Sequence, residues 1–141
     1  MNSIVKITKS AYETLLALSR FPPEVGAVIG GTSDTISHVW FDVRAGIGNA
    51  VYQPTAIDVE TTVACWRKSN INFQGFIHSH HSIASPSLSS RDIFSAQRIM
   101  KTNKLTHLFL GVLLREQVFM YCVYNTEGGA PTVEQLKAVI I

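Results

Sequence analysis

The chain has 141 residues, of which 46% are hydrophobic and 16% are charged, a composition that fits one domain with a hydrophobic core and excludes a disordered chain. The formal net charge is only +2 and the 12 Lys and Arg residues are scattered, so no basic stripe indicates binding to nucleic acid. No apolar stretch approaches the roughly 20 residues that cross a bilayer and no secretion signal opens the sequence, so we expect a cytoplasmic protein without a membrane partner.

The first part of the chain predicts a strand, a helix and a buried strand. Residues 4–7 alternate apolar and polar side chains, and Ser10-Ala11-Tyr12-Glu13 has the S-x-x-E form of a helix capping box. The helix that begins there is expected to end near residue 20, because the prolines of Pro22-Pro23 cannot donate backbone hydrogen bonds. Residues 25–30 are a continuous small apolar run, typical of a strand buried on both faces, and Glu24 stands directly before it.

The rest of the chain predicts alternating helices and strands. Periodicity and turn signals predict strands at 35–45 and 73–78, helices at 55–68 and 89–100, a hairpin of strands at 105–114 and 117–124, and loops at 46–54 and 82–88. After the Gly128-Gly129 break, Thr132 is expected to cap a last helix at 133–139. The order β-α-β-β-α-β-α-β-β-α predicts an α/β fold of mixed α+β type, in which helices flank a mixed central sheet.

Two histidines at the end of a predicted strand are candidate metal ligands. In extended chain, residues i and i+2 point to the same side, so the rings of His78 and His80 can reach one ion. The chain has two cysteines and no C-x-x-C pair, which excludes thiolate zinc sites of the finger type. Because a catalytic zinc ion typically has three protein ligands and a water, a third ligand is required.

Asp92 and Glu24 would complete such a site. Ser89 is expected to be the N-cap of a helix with Asp92 in its first turn, where the helix dipole favours a carboxylate. A zinc hydrolase also needs a base that takes a proton from water, and Glu24 is the candidate. Ser-x-x-Asp alone is more often only a helix cap, and His-x-His alone is common, but their combination with Glu24 predicts a metal centre with one zinc ion per chain.

In this combination the chain resembles the JAMM metallopeptidases, also called the JAB or MPN-plus family. Glu24-Val25-Gly26-Ala27-Val28-Ile29-Gly30-Gly31 is similar to the family's strand that opens with glutamate. His78-Ser79-His80 followed by Ser89-x-x-Asp92 resembles its H-[S/T]-H…S-x-x-D motif, in the same order along the chain.

The chain departs from the family's pattern at two points near the second histidine. Eight residues separate His80 from Ser89, one more than is usual, and we place the extra residue in the loop, where insertions are tolerated. At the usual spacing, the position of the motif's serine falls on Leu88, whose side chain cannot donate a hydrogen bond. His81 stands where the family often has proline, and on an extended strand it would point away from the metal side.

The resemblance implies a single JAMM domain over residues 1–141, similar in fold to cytidine deaminase and to the small stand-alone members of prokaryotic type. It implies that His78, His80 and Asp92 bind one Zn²⁺, that Glu24 acts as base and then as acid, and that the Ser89 hydroxyl donates to the developing oxyanion. The implied reaction is attack of a zinc-bound water on an amide or isopeptide bond, commonly after the C-terminal glycine of a ubiquitin-like or sulfur-carrier protein.

Two other functions are alternatives. A non-catalytic MPN-type scaffold would mediate protein assembly, but such a scaffold has no need to keep all four catalytic positions filled. A RadC-like protein linked to DNA repair would share the ligands, but the chain has no basic patch and no helix-hairpin-helix segment. The resemblance is also compatible with a homodimer.

Overall fold

The computed structural model describes residues 3–42, 54–80, 85–126 and 128–141. Its elements, in chain order, are β1 (Ile4–Ile7), α1 (Lys9–Leu18), β2 (Gly26–Thr32), β3 (Thr35–Phe41), α2 (Ala56–Lys68), β4 (Asn72–Ser79), α3 (Ser90–Asn103), β5 (His107–Leu114), β6 (Gln117–Tyr124) and β7 (Thr132–Ile140). The predicted loops at 46–54 and 82–88 lie outside the described residues, except for Pro54 and residues 85–88. None of the helices in the described ranges is long and apolar enough to cross a bilayer.

The strands form one mixed sheet in the order β1-β3-β2-β4-β5-β6-β7, and the sheet closes because β1 also pairs with β7. β1 pairs in parallel with both of its neighbours and β4 pairs in parallel with β5, while the other neighbouring strands are antiparallel. The predicted mixed central sheet with flanking helices is therefore confirmed.

The core lies on both faces of the central strands β2 and β4. Ile29 and Ile77 face a cluster that includes Leu15 of α1, whereas the preceding residues Val28 and Phe76 face a second cluster. That second cluster includes Ala96 and Met100 of α3, with Trp66 of α2 packed against it. The prediction that residues 25–30 are buried on both faces is confirmed, and the helices α2 and α3 lie together on one side of the sheet.

The first helix begins at a different residue from the one predicted. Thr8, not Ser10, is the N-cap of α1, because the N–H of Ala11 donates to Thr8 Oγ1 at 3.3 Å. The helix ends at Leu18, about half a turn before the predicted end, and the turn that follows precedes Pro22. The S-x-x-E pattern was misleading because Thr8, directly after β1, is also a good N-cap residue. It starts the helix two residues before Ser10.

The predicted last helix at 133–139 is wrong, because these residues belong to β7. Leu136 is buried within a strand that pairs antiparallel with β6 and parallel with β1. The N–H of Lys137 donates to the carbonyl of Ser3 at 3.0 Å. Apolar residues at 133, 136 and 139 suit a helical period, but two strand edges were available for pairing, and tertiary hydrogen bonding overrode the local pattern.

Candidate metal centre

The end of β4 brings the two predicted histidines together. β4 lies between β2 and β5, where His78 is opposite Gly26 and Val112. The Nε2 atoms of His78 and His80 are 2.9 Å apart, and His78 is 7% exposed. The two rings therefore point toward a common location, as their i, i+2 spacing predicts.

Asp92 approaches the histidines from the first turn of α3. Ser89 is the N-cap of this helix, and the capping box is complete: the N–H of Asp92 donates to Ser89 Oγ at 3.1 Å, and the N–H of Ser89 donates to Asp92 Oδ2 at 2.8 Å. The other carboxylate oxygen, Oδ1, lies 3.5 Å from His78 Nε2. One oxygen thus caps the helix start while the second faces His78.

Ser89, rather than Leu88, occupies the capping position. Leu88 is partly buried against the apolar clusters that include Val112 and Tyr121, whereas Ser89 is exposed at the start of α3. Tyr121 also donates its hydroxyl to the carbonyl of Pro86 at 2.7 Å, which anchors the segment before Leu88. The extra residue between His80 and the helix therefore leaves the Ser-x-x-Asp start of α3 intact.

Glu24 approaches from the chain just before β2. Its Oε1 lies 4.0 Å from His80 Nε2, and its side chain is 11% exposed. Ser79, between the two histidines, fixes this approach: the N–H of Val25 donates to Ser79 Oγ at 3.0 Å, and the N–H of Ser79 donates to the Val25 carbonyl at 2.8 Å. The sequence reasoning missed this role for Ser79, although the middle residue of the H-S-H motif was the available signal.

A hydrogen bond to the backbone sets the ring orientation of His80. Its Nδ1 lies 2.9 Å from the carbonyl oxygen of Ser85, and because a carbonyl only accepts, Nδ1 carries the hydrogen. In a neutral imidazole this leaves Nε2 as the atom with the free lone pair. The atom that faces His78 is therefore the one that can bind a metal ion.

The pKa of His78 is lowered to about 4, mainly by burial; the nearby Asp92 carboxylate raises this pKa and the His80 ring lowers it, both by less than burial does. The His78 ring is therefore neutral at neutral pH. Neutral imidazole is the form that binds metals, so no proton has to leave this ring before an ion enters.

The spacing of the donor atoms is compatible with a metal ion, and zinc serves as the comparison. In a tetrahedral site with bonds of about 2.0–2.1 Å, ligand atoms lie roughly 3.3–3.4 Å apart. The observed separations are 2.9 Å between the two imidazole nitrogens and 3.5 Å between His78 and Asp92. Among the described residues, Glu24, His78 and His80 also offer ligand atoms within 4.8 Å of one another. Two nitrogens and the Glu24 carboxylate thus form one group that could hold a cation, and the Asp92 carboxylate lies beside His78.

The centre opens into a cavity of about 350 Å³. Glu24, His78 and Asp92 line the part of it at the metal centre, and the first two turns of α3 line much of the rest. A volume of this size lies within the usual range for sites that bind small ligands or short peptide segments.

Neither the models of protein families nor the curated proteins match this sequence. Two solved structures resemble the chain along nearly its whole length. The solution structure of protein DSY2949 from Desulfitobacterium hafniense has a TM-score of 0.64 at 18% identity and covers 98% of this chain and 93% of its own. The crystal structure of AF2198, a JAB1/MPN domain protein from Archaeoglobus fulgidus, has a TM-score of 0.53 at 20% identity, with coverages of 96% and 99%. The chain therefore has an MPN-like fold.

Proposed function

We propose that the chain is a zinc-dependent hydrolase of amide or isopeptide bonds. The observation that supports this proposal is the meeting of four side chains from three separate parts of the chain: Glu24 before β2, His78 and His80 at the end of β4, and Asp92 in α3. Each is the residue that the resemblance to JAMM metallopeptidases assigns to the metal centre. The MPN-like fold is compatible with this chemistry. An MPN-type protein without a metal centre would instead be a binding scaffold.

Asp92 is the third ligand in this proposal, and Glu24 is the base. The Asp92 carboxylate is fixed by the capping box and its Oδ1 is 3.5 Å from His78 Nε2, close to the separation of two ligands on one zinc ion. Glu24 Oε1 is 4.0 Å from His80 Nε2, and its carboxylate lies in one group with both imidazoles, but the resemblance to JAMM metallopeptidases assigns it the role of base and not of ligand. From this position Glu24 would bind a water that lies between it and the histidines.

The chain's own groups would handle the proton and the oxyanion. A bound zinc ion would supply Lewis acidity and lower the pKa of a water. Glu24 would accept a proton from the attacking water and return it to the leaving amine. The Ser89 hydroxyl accepts a hydrogen bond from the N–H of Asp92 and keeps its own hydrogen, which it would donate to the developing oxyanion.

The proposed substrate is the glycine-ended tail of a ubiquitin-like or sulfur-carrier protein in the cytoplasm. This part of the proposal follows from the resemblance and from the chemistry of a zinc hydrolase. Glycine residues suit a buried centre, because a chain without side chains can approach the histidines and the α3 start closely. Neither nucleic acid nor a membrane is part of the proposal.

The test is incubation of the zinc-loaded protein with ubiquitin-like and sulfur-carrier proteins from the same genome neighbourhood, each extended beyond its terminal Gly-Gly. Mass spectrometry should find cleavage directly after the glycine, and a chelator or Glu24→Ala should abolish it. Absence of cleavage, together with less than about half a zinc ion per purified chain, would contradict the proposal and favour a non-catalytic MPN scaffold.

A further inference from the structure

We propose that the cavity beside the metal centre recognises a carboxylate on the substrate, through Arg91 and Arg98 of α3. The inference rests on the proposed function in taking a peptide as the ligand. It adds a substrate class that the metal centre alone does not define: peptides that carry a free carboxylate near the bond that is cut.

The two arginines line the same cavity as the metal centre. Arg91 directly precedes Asp92, and Arg98 lies seven residues farther along α3, so both are on one face of the helix. A rise of 1.5 Å per residue places their Cα atoms about 10 Å apart along the helix axis. The cavity therefore extends from the metal centre along roughly two turns of a helix that carries two positive charges.

The positive charges on this face are not neutralised within the described ranges. Neither Arg91 nor Arg98 has an ion pair or a side-chain hydrogen bond there, and the only acidic residues that line the cavity are Glu24 and Asp92 of the metal centre. Arg91 stands in the first turn of α3, where the helix dipole favours anions, so its position does not stabilise the helix. Two guanidinium groups in such a cavity attract an anionic ligand.

Apolar side chains form most of the rest of the cavity lining. Phe76 and Leu110 are buried residues of the sheet that line the cavity, and Phe94, between the two arginines on α3, is 60% exposed. Apolar walls reduce the local dielectric and strengthen an ion pair with a bound anion. The combination suits a peptide whose uncharged part contacts Phe76, Phe94 and Leu110. A carboxylate of the same peptide would pair with a guanidinium group.

The distance along α3 sets the position of that carboxylate. An extended peptide advances about 3.3 Å per residue, so a group at Arg98 lies roughly three residues from a scissile bond at the metal centre. Two sources supply the same chemistry at that point: the α-carboxylate of a chain that ends there, and the side chain of Asp or Glu.

Peptide binding tests the proposal without requiring turnover. The probes are four fluorescein-labelled peptides of the form Gly-Gly-Ala-Ala-Xaa, with Glu or Gln as the last residue and with a free or amidated C-terminus. Their Kd is measured by fluorescence anisotropy on the full chain carrying Glu24→Gln, with zinc added. Removal of the recognised carboxylate should weaken binding about three- to thirty-fold, the range for a partly exposed charge-assisted hydrogen bond. A difference in Kd between the Glu and Gln peptides identifies the side-chain carboxylate as the recognised group. A difference between the free and amidated peptides identifies the α-carboxylate.

Arginine variants identify the partner of the carboxylate. Arg91→Gln or Arg98→Gln should weaken binding of the carboxylate peptide about three- to thirty-fold and leave the doubly neutral peptide unchanged. Lys101→Gln is the matched control, because Lys101 is an exposed cation on the same helix that does not line the cavity.

Three results would overturn the inference: no binding of any peptide, equal Kd values for charged and neutral peptides, or an equal loss in Lys101→Gln and in the arginine variants. Cleavage of tails by the wild-type protein without carboxylate discrimination would remove this inference and leave the proposed hydrolase. Carboxylate-dependent binding without cleavage would support this inference and contradict the proposed hydrolase.

Discussion

Two residues of the candidate metal centre, Asp92 and His80, each make two contacts. Asp92 accepts the N–H of Ser89 with one oxygen and faces His78 with the other, and His80 donates to the Ser85 carbonyl while its Nε2 faces His78. The His-x-His and Ser-x-x-Asp spacings predicted these orientations, because side-chain direction in a strand or a helix start follows from residue spacing. The H-S-H motif singles out Ser79, but its contact with Val25 does not follow from residue spacing, because it joins segments far apart in sequence.

Ser79 should act as a positioning residue for Glu24. Ser79→Ala removes the acceptor for the buried N–H of Val25, which should cost about 1–3 kcal/mol of unfolding free energy. Glu24 is the adjacent residue, so a shift near 1 Å should lower kcat about 100-fold with little change in KM. Ser79→Thr keeps the hydroxyl and should recover most of both losses. Equal kcat in Ser79→Ala and wild type would contradict this role.

Ser89 is the N-cap of α3, and in the proposed reaction it is also the oxyanion donor. Ser89→Ala removes both and should lower the hydrolysis rate about ten- to a thousand-fold. Ser89→Gly also removes the donor, but glycine is tolerated at an N-cap at a cost of only a few tenths of a kcal/mol. A similar rate loss in Ser89→Gly, with near wild-type stability by urea denaturation, would assign the loss to the hydroxyl. A wild-type rate in Ser89→Gly would leave Ser89 as a cap only.

The lowered pKa of His78 predicts how the metal-free protein responds to acid. The unfolded ring takes up a proton near its ordinary pKa of 6.5, whereas the buried ring does so only near 4, so acid favours the unfolded state between these values. Protonation of this ring does not reduce the free energy of unfolding above pH 6.5. As the pH falls to 4, it lowers the free energy of unfolding by about 3 kcal/mol.

Urea denaturation of the chelator-treated protein at pH 7 and pH 4 measures this loss. Wild type should lose about 3 kcal/mol more than His78→Gln, whereas a control at the exposed His38, His38→Gln, should lose as much as wild type. An equal loss in wild type and His78→Gln would show that this ring does not respond to pH as its burial requires.

At the scale of elements, periodicity predicted the type of most helices and strands and failed at the last one. The buried run that became β2 and the hairpin of β5 and β6 were identified because their patterns have no good helical alternative. β7 was mistaken for a helix because its apolar spacing suits both periods, and only the open edges of β1 and β6 decide between them. Sequence alone gave no strand order, so those edges could not be located.

The attachment of α2 is a second feature that the sequence pattern left undefined. None of its residues is fully buried, and Ile57 is 71% exposed. Val59 and Trp66 pack against the core, and the Trp66 ring lies over Gly30 of β2: a Cβ on Gly30 would come within 2.6 Å of the ring. Trp66 therefore attaches the helix at a point where β2 has no side chain.

Trp66→Ala should loosen α2 and destabilise the protein by about 2 kcal/mol, less than for a fully buried aromatic residue, because the indole is only partly buried. Ile57→Ala on the same helix is the control and should change the unfolding free energy by less than about 0.5 kcal/mol. Denaturation in urea measures both. Equal effects of the two substitutions would contradict the anchoring role of Trp66.

Across the molecule as a whole, the side chains of the candidate metal centre meet because the sheet brings distant segments together. β2 and β5 flank β4, so Glu24 and the two histidines meet at one end of neighbouring strands, and α3 returns Asp92 to the same end. Residue spacing predicted which side chains could face an ion, but not that Glu24 would be adjacent to them. That expectation came from the need of a zinc hydrolase for a base and from the resemblance to the JAMM pattern, which carries long-range information that local periodicity lacks.

Zinc content measured by native mass spectrometry on wild type, Glu24→Ala and Asp92→Ala tests the central claim most directly. If His78, His80 and Asp92 hold the ion and Glu24 is the base, wild type and Glu24→Ala should each carry about one zinc ion per chain. Asp92→Ala should be largely empty under the same conditions. Loss of zinc from Glu24→Ala with retention in Asp92→Ala would contradict the account, because it would make Glu24 the ligand.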